Sequence, residues 1–290
     1  MNELFSAPKI YHRAVLLKTF LQALKSDRAD LKIGFVPTMG ALHQGHLSLL
    51  ETALKNNDWV ILSIYVNPLQ FGPDDDFHRY PRDLKADHEL ILKTFGEKAP
   101  ILIFNPLSMD DIFGENFSSN ISVGALSRIK EGAVRPGHFD GVCTVVYKLF
   151  AILKPDRAYF GQKDYQQCLV IKKMIQDLEL PVEFIMCPIW REENGLAMSS
   201  RNRYLTETER NEASIIYQTL NSIKKLLAEK KFSEEILEEL KIKHPRFESL
   251  EVLDANTLDK PKDSSQDLLI IAVYKIRQTR LLDNMLVHLC

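Results

Sequence analysis

Residues 33–46 read Ile33-Gly34-Phe35-Val36-Pro37-Thr38-Met39-Gly40-Ala41-Leu42-His43-Gln44-Gly45-His46, and this stretch decides the fold. Ile33–Pro37 is a short apolar run ended by proline, which predicts a strand. His46–Lys55 follows with helical periodicity. The turn between them lies where open α/β sheets bind ligands, beyond the carboxyl end of a strand. Gly40 and Gly45 let the backbone turn tightly and approach a ligand closely. The helix N-terminus adds N–H groups and a partial positive charge suited to phosphate.

Outward from this turn, strand and helix patterns alternate. Trp59–Val66 is a long apolar run bounded by Asn67-Pro68 and predicts a buried strand. Pro81–Phe95 predicts a helix with Pro81 in its first turn, and Ile101–Phe104 predicts a third strand. His138–Leu153 and Asp164–Leu178 are helical in pattern, with the strand Ala158–Phe160 between them, and Val182–Ile189 predicts another strand. Fully apolar strands alternating with helices predict a parallel sheet covered on both faces. The pattern changes near residue 190. Thr206–Lys230 predicts one long helix, opened by the capping-box pair Thr206 and Glu209 and striped by Ile216, Leu220, Ile223 and Leu227. A shorter helix over Ser233–Lys241 and the runs Leu250–Leu253, Leu268–Ile276 and Arg280–Val287 predict a small sheet with helices. The expected division is 1–188 and 189–290, an α/β domain followed by a smaller α+β domain.

Composition narrows the function classes. The chain has 290 residues, 45% hydrophobic and 26% charged, as an ordinary soluble globular protein does. Lys+Arg 37 against Asp+Glu 39 gives a net charge of -2, which argues against a dedicated nucleic-acid binder. Cys143, Cys168, Cys187 and Cys290 are widely spaced, so buried, reduced thiols are expected rather than a zinc ribbon or a disulfide framework. Lys18 interrupts the only apolar run of the N-terminal stretch, so neither a signal peptide nor a membrane span is expected, and a cytoplasmic location is the default. The Lys/Glu-rich stretch around 224–243 alternates in sign, as a solvated helical face does.

The turn differs from the common phosphate loops. Gly40 and Gly45 have P-loop spacing, but His46 and Leu47 stand where the phosphate lysine and the magnesium hydroxyl belong. No G-x-G-x-x-G dinucleotide fingerprint occurs. What remains is two imidazoles three residues apart, expected on one helical face, able to donate to phosphate oxygens and stabilise charge that builds up there; the plainer alternative is two surface histidines that cap a helix and have no function. A zinc site would need i, i+4 spacing and a third ligand, and none is present locally.

Five further segments carry chemistry: Val66-Asn67-Pro68-Leu69-Gln70-Phe71, Arg79-Tyr80-Pro81-Arg82, Arg135-Pro136-Gly137-His138-Phe139, Gly161-Gln162-Lys163-Asp164-Tyr165-Gln166-Gln167 and Met198-Ser199-Ser200-Arg201-Asn202. Gln70 is expected at a strand end, where its amide can read a hydroxyl and a carboxylate together, and Gln167 offers the same pair at a helix start. Lys163 is a mobile point charge suited to phosphate, and Asp164 beside it can accept from ribose hydroxyls. Ser199, Ser200 and Arg201 gather two hydroxyls and a guanidinium beside a Gly195-containing loop, as a pyrophosphate clamp would. Singly, each is an ordinary surface residue; their joint occurrence adds weight, and the family resemblance that these segments carry adds most.

The H-x-G-H turn resembles the signature of the HIGH superfamily of nucleotidyltransferases. The longer string Pro37–His46 and the five segments, in the same order, resemble the pantoate–β-alanine ligase (pantothenate synthetase) family, and Thr279-Arg280-Leu281-Leu282-Asp283-Asn284 resembles that family's ending. The resemblance implies a Rossmann-like N-terminal domain binding nucleotide and pantoate, and a ligase that condenses pantoate with β-alanine through a pantoyl adenylate, releasing AMP and pyrophosphate. It implies ATP contacts at Met39, Gly40, Ala41, Leu42, His43, Gln44, Gly45 and His46, at Gly161, Gln162, Lys163 and Asp164, and at Met198, Ser199, Ser200 and Arg201. A backbone contact falls near Trp190. His46, His43, Lys163, Ser199 and Arg201 are the implied catalytic set. Gln70 and Gln167 are the implied pantoate residues, Gln70 also bordering the β-alanine site, with Asn67, Tyr80 and Arg135 as further candidates. Mg²⁺ is expected on the phosphates without a protein cage. A homodimer is implied, and a site between the two domains is expected. Gln162 stands where Glu is common in the family. Two other readings stay open: another HIGH-superfamily adenylyltransferase, and a catalytically silent nucleotide-binding module.

Overall fold

A computed structural model describes residues 8–73, 75 and 77–289 of the chain. Residues 1–7 of the N-terminal stretch and Cys290 lie outside the described residues. The strands explain the architecture through their period of two. Ile33 and Phe35, Ile61, Leu102 and Phe104, and Ala158 and Phe160 pack into one core layer. The alternate residues, Val36, Val60 and Leu62, Ile101 and Ile103, and Tyr159, pack into another. A strand apolar on both faces must be covered on both, and each large side chain so buried contributes about 1.5–3 kcal/mol.

The first part of the chain runs β1 (Lys9–Tyr11), α1 (Ala14–Asp27), β2 (Ile33–Thr38), α2 (Gln44–Asn56), β3 (Trp59–Ile64), α3 (Leu84–Phe95), β4 (Ile101–Phe104), α4 (Asp110–Phe113), α5 (Glu131–Val134), α6 (His138–Leu153), β5 (Arg157–Gly161), α7 (Tyr165–Asp177) and β6 (Glu183–Cys187). The strands form a six-stranded sheet in the order β1-β4-β3-β2-β5-β6, every pairing parallel. Leu47, Leu50 and Ala53 of α2 and Ile91 of α3 cover one face. Leu17 and Leu21 of α1, the apolar side of α6, and Val170, Ile171 and Met174 of α7 cover the other. The chain order reverses where β2 neighbours β5, and the carboxyl ends of such strands frame the ligand crevice of an open sheet.

The rest comprises α8 (Glu207–Glu212), α9 (Ile215–Ala228), α10 (Glu234–Lys243), β7 (Phe247–Asp254), β8 (Asp267–Ile276) and β9 (Thr279–His288). The three strands pair antiparallel in the order β7-β8-β9. Ile216, Leu220, Ile223 and Leu227 of α9 pack with Leu250, Val252, Ile270, Ala272 and Tyr274 of the sheet. The chain thus has a Rossmann-like parallel sheet followed by a smaller α+β portion. By internal contacts, one compact unit runs to Gly161 and resumes over Gln166–Cys187, and the other comprises Gln162–Tyr165 and the chain from Pro188 on. Among the described residues no helix is long and apolar enough to cross a membrane.

Several expectations need correcting. The helix expected from Pro81 starts at Leu84, because Asp83 caps it by accepting from the Ala86 N–H at 3.0 Å. Pro81 lies in the preceding turn, where Arg82 donates to the Tyr80 and Phe77 carbonyls. The helix expected over Thr206–Lys230 is two helices. The Thr206–Glu209 capping box is present, but α8 buries no residue, and the ladder tightens to i→i−3 bonds at Ser214 and Ile216 before α9 begins. The helix expected from Asp164 begins at Tyr165, after a 3₁₀ turn over Gln162–Asp164. Strand β1 carries too few residues to show a period, and its pairing with β4 defines it.

Candidate functional site

The turn after β2 is built on a buried carboxylate. Asp87 of α3, 4% exposed, accepts from the Leu42 N–H at 2.7 Å through Oδ1 and from the Ala41 N–H at 3.0 Å through Oδ2. Gly40 (φ +82°) and Ala41 (φ +52°) both take left-handed backbone, and a Cβ at Gly40 would meet Asp87 Oδ2 at 2.9 Å. Thr38 ties the strand end, its Oγ1 donating to the Ser63 carbonyl at 2.7 Å and accepting from the Gly40 N–H at 3.2 Å.

His43 is not yet helical; it is the N-cap of α2, in extended backbone. Its Nδ1 accepts from the Gly45 N–H at 3.2 Å, and His46 Nδ1 accepts from the His43 N–H at 3.3 Å. The two imidazoles therefore form a reciprocal capping box, with ring centroids 4.1 Å apart. This replaces the expected i, i+3 pairing along a helical face. It also fixes the tautomers: with each Nδ1 accepting, a neutral ring carries its proton on Nε2, so each histidine is a donor there.

Gln70 lies beyond the strand rather than at its end, in a 3₁₀ turn over Pro68–Gln70 capped by Asn67. Its side chain donates to Met39 Sδ at 3.3 Å and accepts from Asn67 Nδ2 at 3.1 Å. Asn67, itself buried, also donates to the Gly141 carbonyl at 3.1 Å. The turn is pressed against α6, since a Cβ at Gly141 would lie 2.1 Å from the Leu69 carbonyl oxygen. Arg135 and His138 both donate to the Gln70 carbonyl, at 3.2 and 2.8 Å. The His138 contact uses Nδ1, which leaves Nε2 to accept from Arg135 Nη1 at 3.3 Å. Arg135 also pairs with Asp75 at 2.9 Å. Burial pushes the Asp75 carboxyl up, but the Gly72 N–H and the Arg135 guanidinium together outweigh it and hold it below the ordinary carboxylate value. Tyr80 is buried and packs edge-on against Phe71, the residue after Gln70. Gln167 is half-buried in the first turn of α7.

Of the remaining candidates, Gly161 ends β5 in the first compact unit and the others belong to the second. Lys163 pairs with Asp164 at 3.3 Å in the turn that follows Gly161. Trp190 is 43% exposed; its carbonyl accepts from the Met198 N–H at 2.9 Å, closing a hairpin through the Arg191–Ala197 bridge. Ser199 caps the 3₁₀ turn Ser200–Tyr204 by accepting from the Arg201 N–H at 3.3 Å. The buried Asn202 ties that turn to Glu192 and to the Ala197 carbonyl. Cys143, Cys168 and Cys187 are buried thiols outside any disulfide, and Cys168 Sγ donates to the Gly161 carbonyl at 3.3 Å. Burial pushes the Cys143 thiol up to about 12 and the Cys187 thiol up to about 11.

Sequence reading missed Asp87 and gave no role to His138 and Asn202, although both lie in the quoted segments; what these residues do depends on contacts that no local spacing reveals. Among the described residues, no group of three or more His, Cys, Asp or Glu side chains is placed to hold a metal ion.

Comparison with known proteins follows the same outline. The profile of the Pantoate-beta-alanine ligase family matches residues 9–286. The chain is 45% identical over 275 residues to the pantothenate synthetase of Caldicellulosiruptor bescii, covering 92% of this chain and 95% of that one. It superposes on the crystal structure of pantothenate synthetase from Thermus thermophilus with a TM-score of 0.84 and 40% identity, covering 96% of this chain and 98% of that one. The pantoate-beta-alanine ligase of Francisella tularensis, solved in complex with beta-gamma ATP and beta-alanine, is similar with a TM-score of 0.78 and 34% identity, over 97% and 98% of the two chains.

Proposed function

Because the chain belongs to the pantoate–β-alanine ligase family, we infer its reaction and the parts of its residues from that premise. The protein joins pantoate to β-alanine at the expense of ATP, giving pantothenate. A carboxylate is a poor electrophile towards an amine and must first be activated. A pantoate carboxylate oxygen attacks the α-phosphorus of ATP; the new P–O bond forms as the bond to pyrophosphate breaks. The neutral amine of β-alanine then attacks the acyl carbon of the adenylate, and AMP leaves.

The capped His43–His46 pair carries the residue assignment. Both rings are donors at Nε2, and the cap fixes them at a helix N-terminus, where preorganised donors stabilise charge developing on phosphate oxygens. Lys163, Ser199 and Arg201 add donors to the triphosphate, with Ser200, Gln162 and the backbone of Trp190 as further nucleotide contacts. Asp164 accepts from the ribose. Mg²⁺, when bound, would be held by the triphosphate and water rather than by a protein cage, and would supply charge neutralisation there. Gln70 and Gln167 read the hydroxyl and carboxylate of pantoate. Asn67 and Arg135 act through Gln70, one fixing its amide and the other its carbonyl, which supports a positioning part for both. Tyr80 packs behind the same turn through Phe71. By the same premise the protein works as a homodimer; a cytoplasmic location remains the default read from the sequence.

His46→Ala tests the assignment. Pyrophosphate release from ATP and pantoate should slow about 10²–10³-fold, as when one transition-state donor is removed, with the circular dichroism spectrum unchanged. Wild-type turnover by this variant removes His46 from the mechanism.

A further inference from the structure

The run Thr279–Asn284 lies in β9, and nothing above gives it a part in the reaction. Its last two residues are polar and each 4% exposed. Asp283 pairs across from Ala272, on the face that α9 covers, while Asn284 pairs across from Ile271, on the opposite face. One strand therefore serves two segments.

On one face, Asn284 Nδ2 donates to the carbonyls of Gln162 and Lys163, both at 3.0 Å, and its Oδ1 accepts from Gln162 Nε2 at 3.1 Å. Both amide hydrogens and the amide oxygen are thus spent on the turn that carries Lys163. On the other face, the Asp283 carboxylate takes a bidentate pair of hydrogen bonds from Arg191 at 2.6 and 2.9 Å. The same guanidinium donates to the Gly195 carbonyl at 3.0 Å and to the Asn284 carbonyl at 3.3 Å, and lies 4.3 Å over the Tyr217 ring. Arg191 is thereby fixed in the hairpin that leads into Ser199 and Arg201.

We propose that Asp283-Asn284 is the positioning element of the second unit, with Asn284 setting the turn that presents Lys163 and Asp283, through Arg191, setting the hairpin that precedes Ser199. The proposal rests on the assignment of Lys163, Ser199 and Arg201 to the triphosphate. Asn284 touches no reacting atom; it acts through the backbone of residue 163.

A double-mutant cycle on the full chain tests it, with Lys163→Ala, Asn284→Ala and the two combined, read as kcat/KM for ATP in pyrophosphate release. Asn284→Ala should lower kcat/KM about 10–100-fold, the effect of a displacement on the order of 1 Å, and should leave the KM for β-alanine unchanged. In the Lys163→Ala background the same change should cost less than about threefold, because residues acting as one unit are not additive. Asn284→Asp keeps the size but turns an acceptor towards two carbonyls, and should impair at least as much. Impaired Lys163→Ala with wild-type Asn284→Ala overturns the proposal alone. So do fully additive effects, or loss of the folded circular dichroism spectrum in both Asn284 variants. Wild-type turnover by Lys163→Ala removes the assignment of Lys163, and the part of Asn284 falls with it.

Discussion

Asp87→Asn replaces one carboxylate oxygen by an NH₂ at the buried point where the turn after β2 is fastened. Oδ1 and Oδ2 each accept a backbone N–H, from Leu42 at 2.7 Å and from Ala41 at 3.0 Å. Whichever way the amide is turned, one of these N–H groups faces another donor. A hydrogen bond to a charged group contributes about 1.5–3 kcal/mol, and an unpaired buried donor costs about 1–3 kcal/mol. Ala41 at φ +52° stores about 1–2 kcal/mol more, as left-handed backbone does in a residue with a Cβ. A loss of about 2–4 kcal/mol follows. At about 2–4 °C per kcal/mol, the thermal midpoint should fall by roughly 5–15 °C. The displaced turn carries Met39 to His46, so the KM for ATP should rise about tenfold. Thermal denaturation followed by circular dichroism reads the first quantity, and pyrophosphate release against ATP concentration reads the second. An unchanged midpoint together with an unchanged KM would refute the reasoning.

Three other outcomes follow from the structure. Gly141→Ala places a Cβ 2.1 Å from backbone that cannot give, so α6 and the Gln70 turn must part; the thermal midpoint should drop, since overpacking costs about 1–3 kcal/mol or more, and wild-type stability would contradict the packing. Asp75→Asn should destabilise the protein at pH 7. The native carboxyl lies below its unfolded value of about 3.9, so its stabilisation is complete above that value and disappears as pH falls through the lower native one; a gap between variant and wild type that does not close on acidification would contradict the Arg135 pairing. Cys143 and Cys187, with thiols raised by burial to about 12 and about 11, should resist a maleimide at pH 7.5 until the protein unfolds, and rapid labelling of either in peptide maps of the native protein would contradict their burial.

The alternation of Ile33–Pro37, Trp59–Val66 and Ile101–Phe104 with helical runs was enough to read the parallel sheet, because strands apolar on both faces have one stable solution. The boundaries that shifted did so for local reasons: Asp83 outcompetes Pro81 as the start of α3, and the ladder tightens between α8 and α9. Of the proposed site, the candidates His43, His46, Gln70, Lys163 and Ser199 were legible in the sequence as residue types in order. What holds them was not. Asp87 reaches the turn from 46 residues away, Arg135 and His138 meet Gln70 from 65 and 68 residues away, and Asn284 meets residue 163 from 121 residues away. Such contacts are made by the sheet's topology, which brings distant segments together, and no local periodicity encodes them. The double cap of His43 and His46 is nearer to legible, since two histidines capping a helix is one reading of the i, i+3 spacing, but the reciprocal box they form, with imidazoles in place of Ser and Glu, is not.

The central claim is that activation of pantoate precedes, and does not need, the amine. Pyrophosphate release by the purified protein with β-alanine withheld measures this directly. A burst of pyrophosphate is expected when ATP and pantoate are both present, none with either alone, and AMP and pantothenate together once β-alanine is added. Pyrophosphate that appears without pantoate, or only after β-alanine is supplied, would contradict the account.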